Sequence, residues 1–227
     1  MKYVNFCLMA VLMLGGIEMA AAQEASPVHV VTYVEVLPAA KSDGAALLRQ
    51  YREATRKEDG NLRAVAARRI GEPNQFVLIE AWKDRAAFDA HAKAASATQL
   101  RDKLKAILAA PLDERVHNAL SVGPIAGARA NGGAVYVVTH IDVIPPKKDD
   151  GTALVRQHGD DGRKDDGNLR FEILVQANRP NHFTAVEVWK SRGAADAHSS
   201  IARVRTFRET LAPMSGALYD ERFYKAM

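Results

Sequence analysis

KEDGNLR, at residues 57–63, returns as KDDGNLR at residues 164–170, and the fold depends on whether that return is chance or duplication. Chance is a fair starting point. Glycine readily takes the left-handed conformation that closes a helix, and Lys57 or Lys164 suits the negative end of a helix dipole. The register beyond the phrase decides. Asn61 and Asn168 stand 107 residues apart, and the same offset pairs Thr32 with Thr139, Pro38 with Pro145, Gly44 with Gly151, and Arg49-Gln50 with Arg156-Gln157. Downstream it pairs Pro73-Asn74 with Pro180-Asn181, Phe76 with Phe183, Glu80 with Glu187, Trp82-Lys83 with Trp189-Lys190, and Asp89-Ala90-His91 with Asp196-Ala197-His198. About half of the positions from Val30 to His91 agree, and so long a period is that of a duplicated domain rather than a short-repeat solenoid. The match fades after His91 and His198.

A chain of 227 residues is then read as two small domains, residues 28–120 and 135–225, joined by a linker at 121–134 that contains GPIAGARANGGA. With 26% charged and 48% hydrophobic residues the composition is that of an ordinary globular protein. The net charge is +4, but acidic residues are interleaved with Lys and Arg, so no sustained basic face points to nucleic acid. Residues 1–22 fall outside the repeat. Lys2, the apolar run FCLMAVLMLGG and then Ala20-Ala21-Ala22 form the three parts of a secretory signal peptide, with cleavage expected after Ala22. An uncleaved anchor is the alternative; the run is short for a span, and Glu18 interrupts its far end. Cys7 is the only cysteine, so the mature chain would carry no thiol or disulfide. The expectation is a periplasmic or secreted protein with no membrane association after cleavage.

Within the first repeat, VHVVTYVEVLP alternates and is β-branched, which predicts a strand ended by Pro38. ALLRQYREATRKEDG fits a helix closed by Gly60. LRAVAARRIGEPNQFVLIEAW reads as two strands about a turn at Gly71-Glu72-Pro73-Asn74. Asp84 can cap a helix over RAAFDAHAKAA, helical tendency continues through QLRDKLKAILA, and a last strand is expected near Asp113 to Val122. The order strand, helix, strand, strand, helix, strand is the ferredoxin-like βαββαβ unit. Its open sheet face needs cover. The expected class is α+β, with the two tandem domains packed sheet to sheet as an internal pseudo-dimer and the chain a monomer.

E-x-W, at Glu80–Trp82 and again at Glu187–Trp189, ends a strand and is followed nine residues later by His91 or His198 in a helical DAH. Together with GNL and the strand order, this resembles the antibiotic biosynthesis monooxygenase family of dimeric α/β barrels, over both repeats. The resemblance implies oxygenation of a quinol- or anthrone-like aromatic by dioxygen, with no cofactor. An electron-rich phenolate or carbanion then reacts with dioxygen in a dry, orienting pocket. No GxGxxG, P-loop, flavin signature or metal-ligand spacing argues otherwise. The candidate catalytic residues are Trp82, as aromatic wall or indole donor, His91 as general base, and Glu80 on the same strand face as Trp82. Each has a structural alternative: a core Trp, a buried polar His, a Glu holding a helix. Tyr33, Tyr51 and Phe88 are candidate substrate-lining aromatics, and Asn61 either serves its turn or bonds substrate. Trp189, His198, Glu187 and Asn168 are the second-copy equivalents.

The pattern also departs from the family. Leu78 and Ala185 stand where some of its oxygenases carry Asn, and no Asn in either first strand disfavours haem degradation. Between the copies, Tyr33, Tyr51 and Phe88 become His140, His158 and Ala195. The spacing of His140, His158 and His198 matches no ligand pattern, so no metal is expected. Gly159 and Gly162 cost about 0.5–1 kcal/mol each against Ala, which predicts a short or loose second-copy helix. Repeat one, richer in aromatics, is expected to hold the working pocket. The competing function is a non-catalytic periplasmic domain pair that binds a small hydrophobic ligand.

Overall fold

The computed structural model describes residues 26–125 and 133–227. The leader-like segment 1–22, Cys7 and the middle of the linker lie outside the described residues. No helix of the described residues is long and apolar enough to cross a membrane. Repeat one runs β1 (Val28–Glu35), α1 (Lys41–Thr55), β2 (Asn61–Arg69), β3 (Gln75–Trp82), α2 (Arg85–Ala92), α3 (Ala95–Lys105) and β4 (Asp113–Ser121). Repeat two runs β5 (Val135–Asp142), α4 (Lys148–Gly162), β6 (Asn168–Gln176), β7 (Arg179–Trp189), α5 (Arg192–Ser200), α6 (Ala202–Leu211) and β8 (Asp220–Ala226). Each is βαββαβ with its second helix broken in two. Asp84 caps α2 as expected, accepting from Ala87 N at 2.7 Å, and its counterpart Ser191 caps α5, accepting from Ala194 N at 3.2 Å. In the repeated phrase Gly60 and Gly167 sit at φ +79° and +80°, and a Cβ on either would stand 2.6 or 2.9 Å from the Cβ of Ala87 or Ala194. Only glycine meets both conditions.

Strand order around the molecule is β1-β3-β2-β8-β5-β7-β6-β4, a closed barrel. Each repeat contributes four antiparallel strands, and each donates its last strand to the other's edge: β8 pairs with β2, and β4 with β6. The open sheet faces are thereby turned onto one shared lumen. Strands buried on both faces lose the simple alternation; in β3, QFVLIEAW is buried at every position after Gln75. Toward the lumen point Val31, Val65, Val77, Ile79, Tyr136, Leu174, Val186 and Tyr224. Polar side chains join them there. His29 faces His117 in register, and at the equivalent place in repeat two Tyr136 faces Tyr224. Arg63 of β2 donates to Glu172 of β6, on the opposite side of the barrel, through two bonds of 2.8 and 2.7 Å. The other strand face, with Trp82 and Trp189, lies under the helices.

α4 corrects the expectation of a short or loose helix: it has 15 residues, as α1 does. A Cβ on Gly159 would stand 2.5 Å from Ile173, and one on Gly162 would strike the Phe171 ring. At the equivalent places repeat one has Arg52 and Thr55 on the helix, and Ala66 and Ala64 on the strand. The bulk has moved from helix to strand, and the glycines let α4 seat on larger strand residues.

Candidate active site between sheet and helices

In repeat one α1 stops at Thr55, and the chain winds through Lys57 and Glu58 to Gly60. That winding delivers Glu58 to α2, where its Oε2 lies 2.7 Å from Nδ1 of His91. Ser96 Oγ donates to the other Glu58 oxygen at 2.6 Å. A carboxylate only accepts, so Nδ1 carries the ring proton and Nε2 accepts from the Tyr51 hydroxyl at 2.7 Å. The ring of His91 stacks on Trp82 with centroids 4.4 Å apart. Trp82 Nε1 donates to Glu80 Oε2 at 3.2 Å, and that oxygen stands 3.8 Å from Nε2 of His91. Burial pushes the Glu80 carboxyl and the Tyr51 phenol above their ordinary ranges. Both nitrogens of His91 are occupied by protein partners. The cavity beside Tyr51, between α1 and α3, is only about 60 Å³.

Repeat two keeps the frame and opens it. Asp165, the counterpart of Glu58, lies 2.6 Å from Nδ1 of His198. His198 rests on Trp189 at 4.6 Å, and Trp189 Nε1 donates to Glu187 Oε2 at 2.8 Å. His158 replaces Tyr51. It lies flat on Phe207, centroids 3.8 Å apart, and its ring is 5.7 Å from that of His198. Nε2 of His198 therefore accepts no hydrogen bond among the described residues; Glu187 Oε2, at 4.0 Å, is close by. Burial, partly opposed by Asp165, holds His198 below the ordinary histidine range. Burial pushes the Glu187 carboxyl up to about 8, so it keeps its proton at neutral pH. A cavity of about 400 Å³, lined by Asp165, Lys190, Ala194, Ala197 and Ile201, reaches His198.

The sites expected from sequence are only partly assembled. Glu80, Trp82, His91 and Tyr51 meet, as do Glu187, Trp189 and His198. Phe88 packs with Val28 and Val30 against Trp82. Tyr33 is elsewhere: it faces the lumen, with the guanidinium groups of Arg115 and Arg222 at 5.0 and 5.2 Å from its ring. Asn61 and Asn168 bind the carbonyls of Arg63 and Arg170 at 3.3 and 3.2 Å, bridging the bulge that opens each strand. These placements correct the aromatic box expected in repeat one, because Tyr33 lies on the wrong sheet face and the Tyr51 hydroxyl closes off His91. His140 stacks on His182 on the lumen face of β5, apart from His158 and His198. Sequence reasoning missed Glu58 and Asp165. Their signal was present, an acid retained as the second residue of the twice-written phrase.

The sequence model of the family described as antibiotic biosynthesis monooxygenase matches residues 27–103 and 134–210. "Putative monooxygenase YcnE" of Bacillus subtilis (strain 168) is 33% identical over 81 residues, covering 36% of this chain and 85% of that protein. A crystal structure called "Putative monooxygenase" from Fusobacterium nucleatum aligns with a TM-score of 0.79 at 18% identity, over 89% of this chain and 93% of that one. A structure called "anthrone oxidase-like protein" aligns with a TM-score of 0.69 at 9% identity, over 91% and 93%. At these identities the structures share the fold.

Proposed function

The chain belongs to the antibiotic biosynthesis monooxygenase family, and on that footing we propose that it oxygenates a quinol- or anthrone-like aromatic directly with dioxygen, at His198 in repeat two. The observation that carries this reading is a histidine on a cavity wall, oriented by Asp165 through Nδ1, whose Nε2 has no hydrogen bond among the described residues. Such an imidazole is a general base. Nε2 removes a proton from the phenolic O–H or activated C–H. The neutral Glu187 carboxyl, close to Nε2, can donate to the oxyanion that forms, and Trp189 backs the imidazole with a flat apolar surface. The electron-rich carbanion reduces dioxygen, and a C–O bond forms to give a hydroperoxide. At an anthrone-type CH2, loss of the second C–H proton breaks the O–O bond. The carbon becomes a carbonyl and the other oxygen leaves as water. Repeat one, with His91 held by Tyr51 and Glu58, serves the barrel rather than turnover.

Oxygen uptake by the purified chain against a panel of hydroquinones and anthrones tests this. Uptake that disappears in His198→Ala and persists in His91→Ala supports the assignment; the reverse pattern moves the chemistry to repeat one. Binding of panel compounds without any uptake favours the ligand-binding pair. We also propose export, on the strength of Lys2, the apolar run and Ala20–Ala22. A mature N-terminus at Gln23 in the periplasmic or culture fraction would support it, and an intact Met1 in the cytosol would overturn it.

A further inference from the structure

At the end of the barrel away from Trp82, the start of α1, the end of β2 and β8 enclose an open groove of about 600 Å³. Lys41, Arg49, Arg68, Arg69 and Lys225 line it, with Ser42, and no acidic side chain does. None of the five cations makes an ion pair among the described residues, whereas Arg52, Arg63, Arg85, Arg115, Arg163 and Arg192 all do. Arg68 and Lys225 are direct cross-strand partners. Like charges opposed in this way destabilise a sheet unless an anion lies between them.

The second repeat supplies an internal control. Its counterparts of Arg68 and Arg69 are Val175 and Gln176, and that of Ser42 is Asp149. Lys148, the counterpart of Lys41, is paired with Asp149 at 3.1 Å, and Arg156, the counterpart of Arg49, donates to the Leu120 carbonyl. At the same place in the fold, each cation of repeat one is replaced or given a partner. The net charge of +4 does not impose such a cluster.

We propose that this groove binds a phosphate-bearing ligand of small size, carrying at least two negative charges. Guanidinium forks from Arg49 and Arg68 match phosphate oxygens in pairs, Arg69, whose Nη1 donates to Gln75 Oε1, offers its remaining N–H groups, and Lys41 and Lys225 add point charges at the two ends. The site is independent of the oxygenation chemistry and stands at the other end of β2 and β3 from Glu80 and Trp82.

The probe is inorganic pyrophosphate, titrated calorimetrically into the full chain at moderate salt. Saturable binding is expected, weakened about tenfold or more by Arg68→Ala or Lys225→Ala and unchanged by the repeat-two control Arg156→Ala. All three side chains are exposed, so each variant should remain folded, as circular dichroism would verify. In a second arm the chain is sedimented with phosphatidylglycerol vesicles and with neutral vesicles. Arg68-dependent sedimentation with the anionic vesicles alone assigns the phosphate to a lipid headgroup; pyrophosphate binding without sedimentation assigns it to a soluble compound. No saturable binding of pyrophosphate or anionic vesicles, or binding equal in wild type and Arg68→Ala, overturns the proposal.

Discussion

Asp165 is one methylene shorter than Glu58, yet both reach Nδ1 of their histidine, at 2.6 and 2.7 Å. The residue that separates the copies is the one on the other nitrogen, Tyr51 or His158. Asp165→Asn should leave the backbone in place but cease to fix the proton on Nδ1, lowering kcat about 100-fold or more with little change in KM. Steady-state kinetics would show it, and an unchanged kcat would remove His198 from the mechanism. Turnover also requires His198 neutral and Glu187 protonated. The rate should fall on the acid side below the ordinary histidine value and on the alkaline side near pH 8, the Glu187 value. Glu187→Gln, which keeps a donor but cannot ionise, should abolish the alkaline limb of a pH–rate profile. The Trp, Glu and His of each site were legible in the sequence because they recur at fixed spacing in an apolar strand and a short helix. Glu58 and Asp165 were not, because an acid among charged turn residues reads as solvated surface until the fold carries it beneath α2 or α5.

At the scale of elements, the exchange of bulk between α4 and β6 is the most direct case of two distant positions changing together. Gly162 lies over Phe171, and the equivalent positions of repeat one hold Thr55 and Ala64. Gly162→Thr alone should overpack that contact and cost about 1–3 kcal/mol. Adding Phe171→Ala, which rebuilds the repeat-one combination, should restore part of the loss. The shift of the urea midpoint across the four chains measures the coupling, and strictly additive effects would show that the two sites do not sense each other. Local propensity read the order of the elements correctly, but drew the second helix of repeat one as a single run where there are two. It misread α4 because a glycine penalty is counted within the helix, whereas the packing that offsets it sits on the following strand, at Phe171 and Ile173. Comparing both positions across the 107-residue offset would have exposed the exchange.

For the whole molecule, closure of the barrel uses every sheet edge, so the full chain should run as a monomer in light scattering. Residues 23–125 alone would expose Val31, Val65, Val77 and Ile79 and should associate or aggregate. The pseudo-dimer was legible from the repeat and from strands apolar on both faces; the polar furnishing of the lumen was not, since which face a lone His or Arg takes follows from the closed register. That lumen makes stability depend on acid. Burial lowers His29 to about 4 and His117 to about 3 from an ordinary 6.5, and neither ring nitrogen of His29 has a partner. Below pH 6.5 the unfolded chain takes up protons on these rings while the native barrel does not, so protons favour unfolding. Stability should fall as pH drops from 6.5 toward 4, by up to about 1.4 kcal/mol per pH unit for each histidine, and the His29 contribution should level off below its native value. Lowered to about 3, His158 adds to the same slope from the outer layer. His29→Leu removes one titrating group and two unpaired nitrogens. Its urea midpoint should exceed that of the wild type at neutral pH, and the gap should widen as pH falls to 4.5. A gap that stays constant over that range would mean that His29 keeps its proton equilibrium on folding, and that the acid sensitivity arises from other groups such as His117.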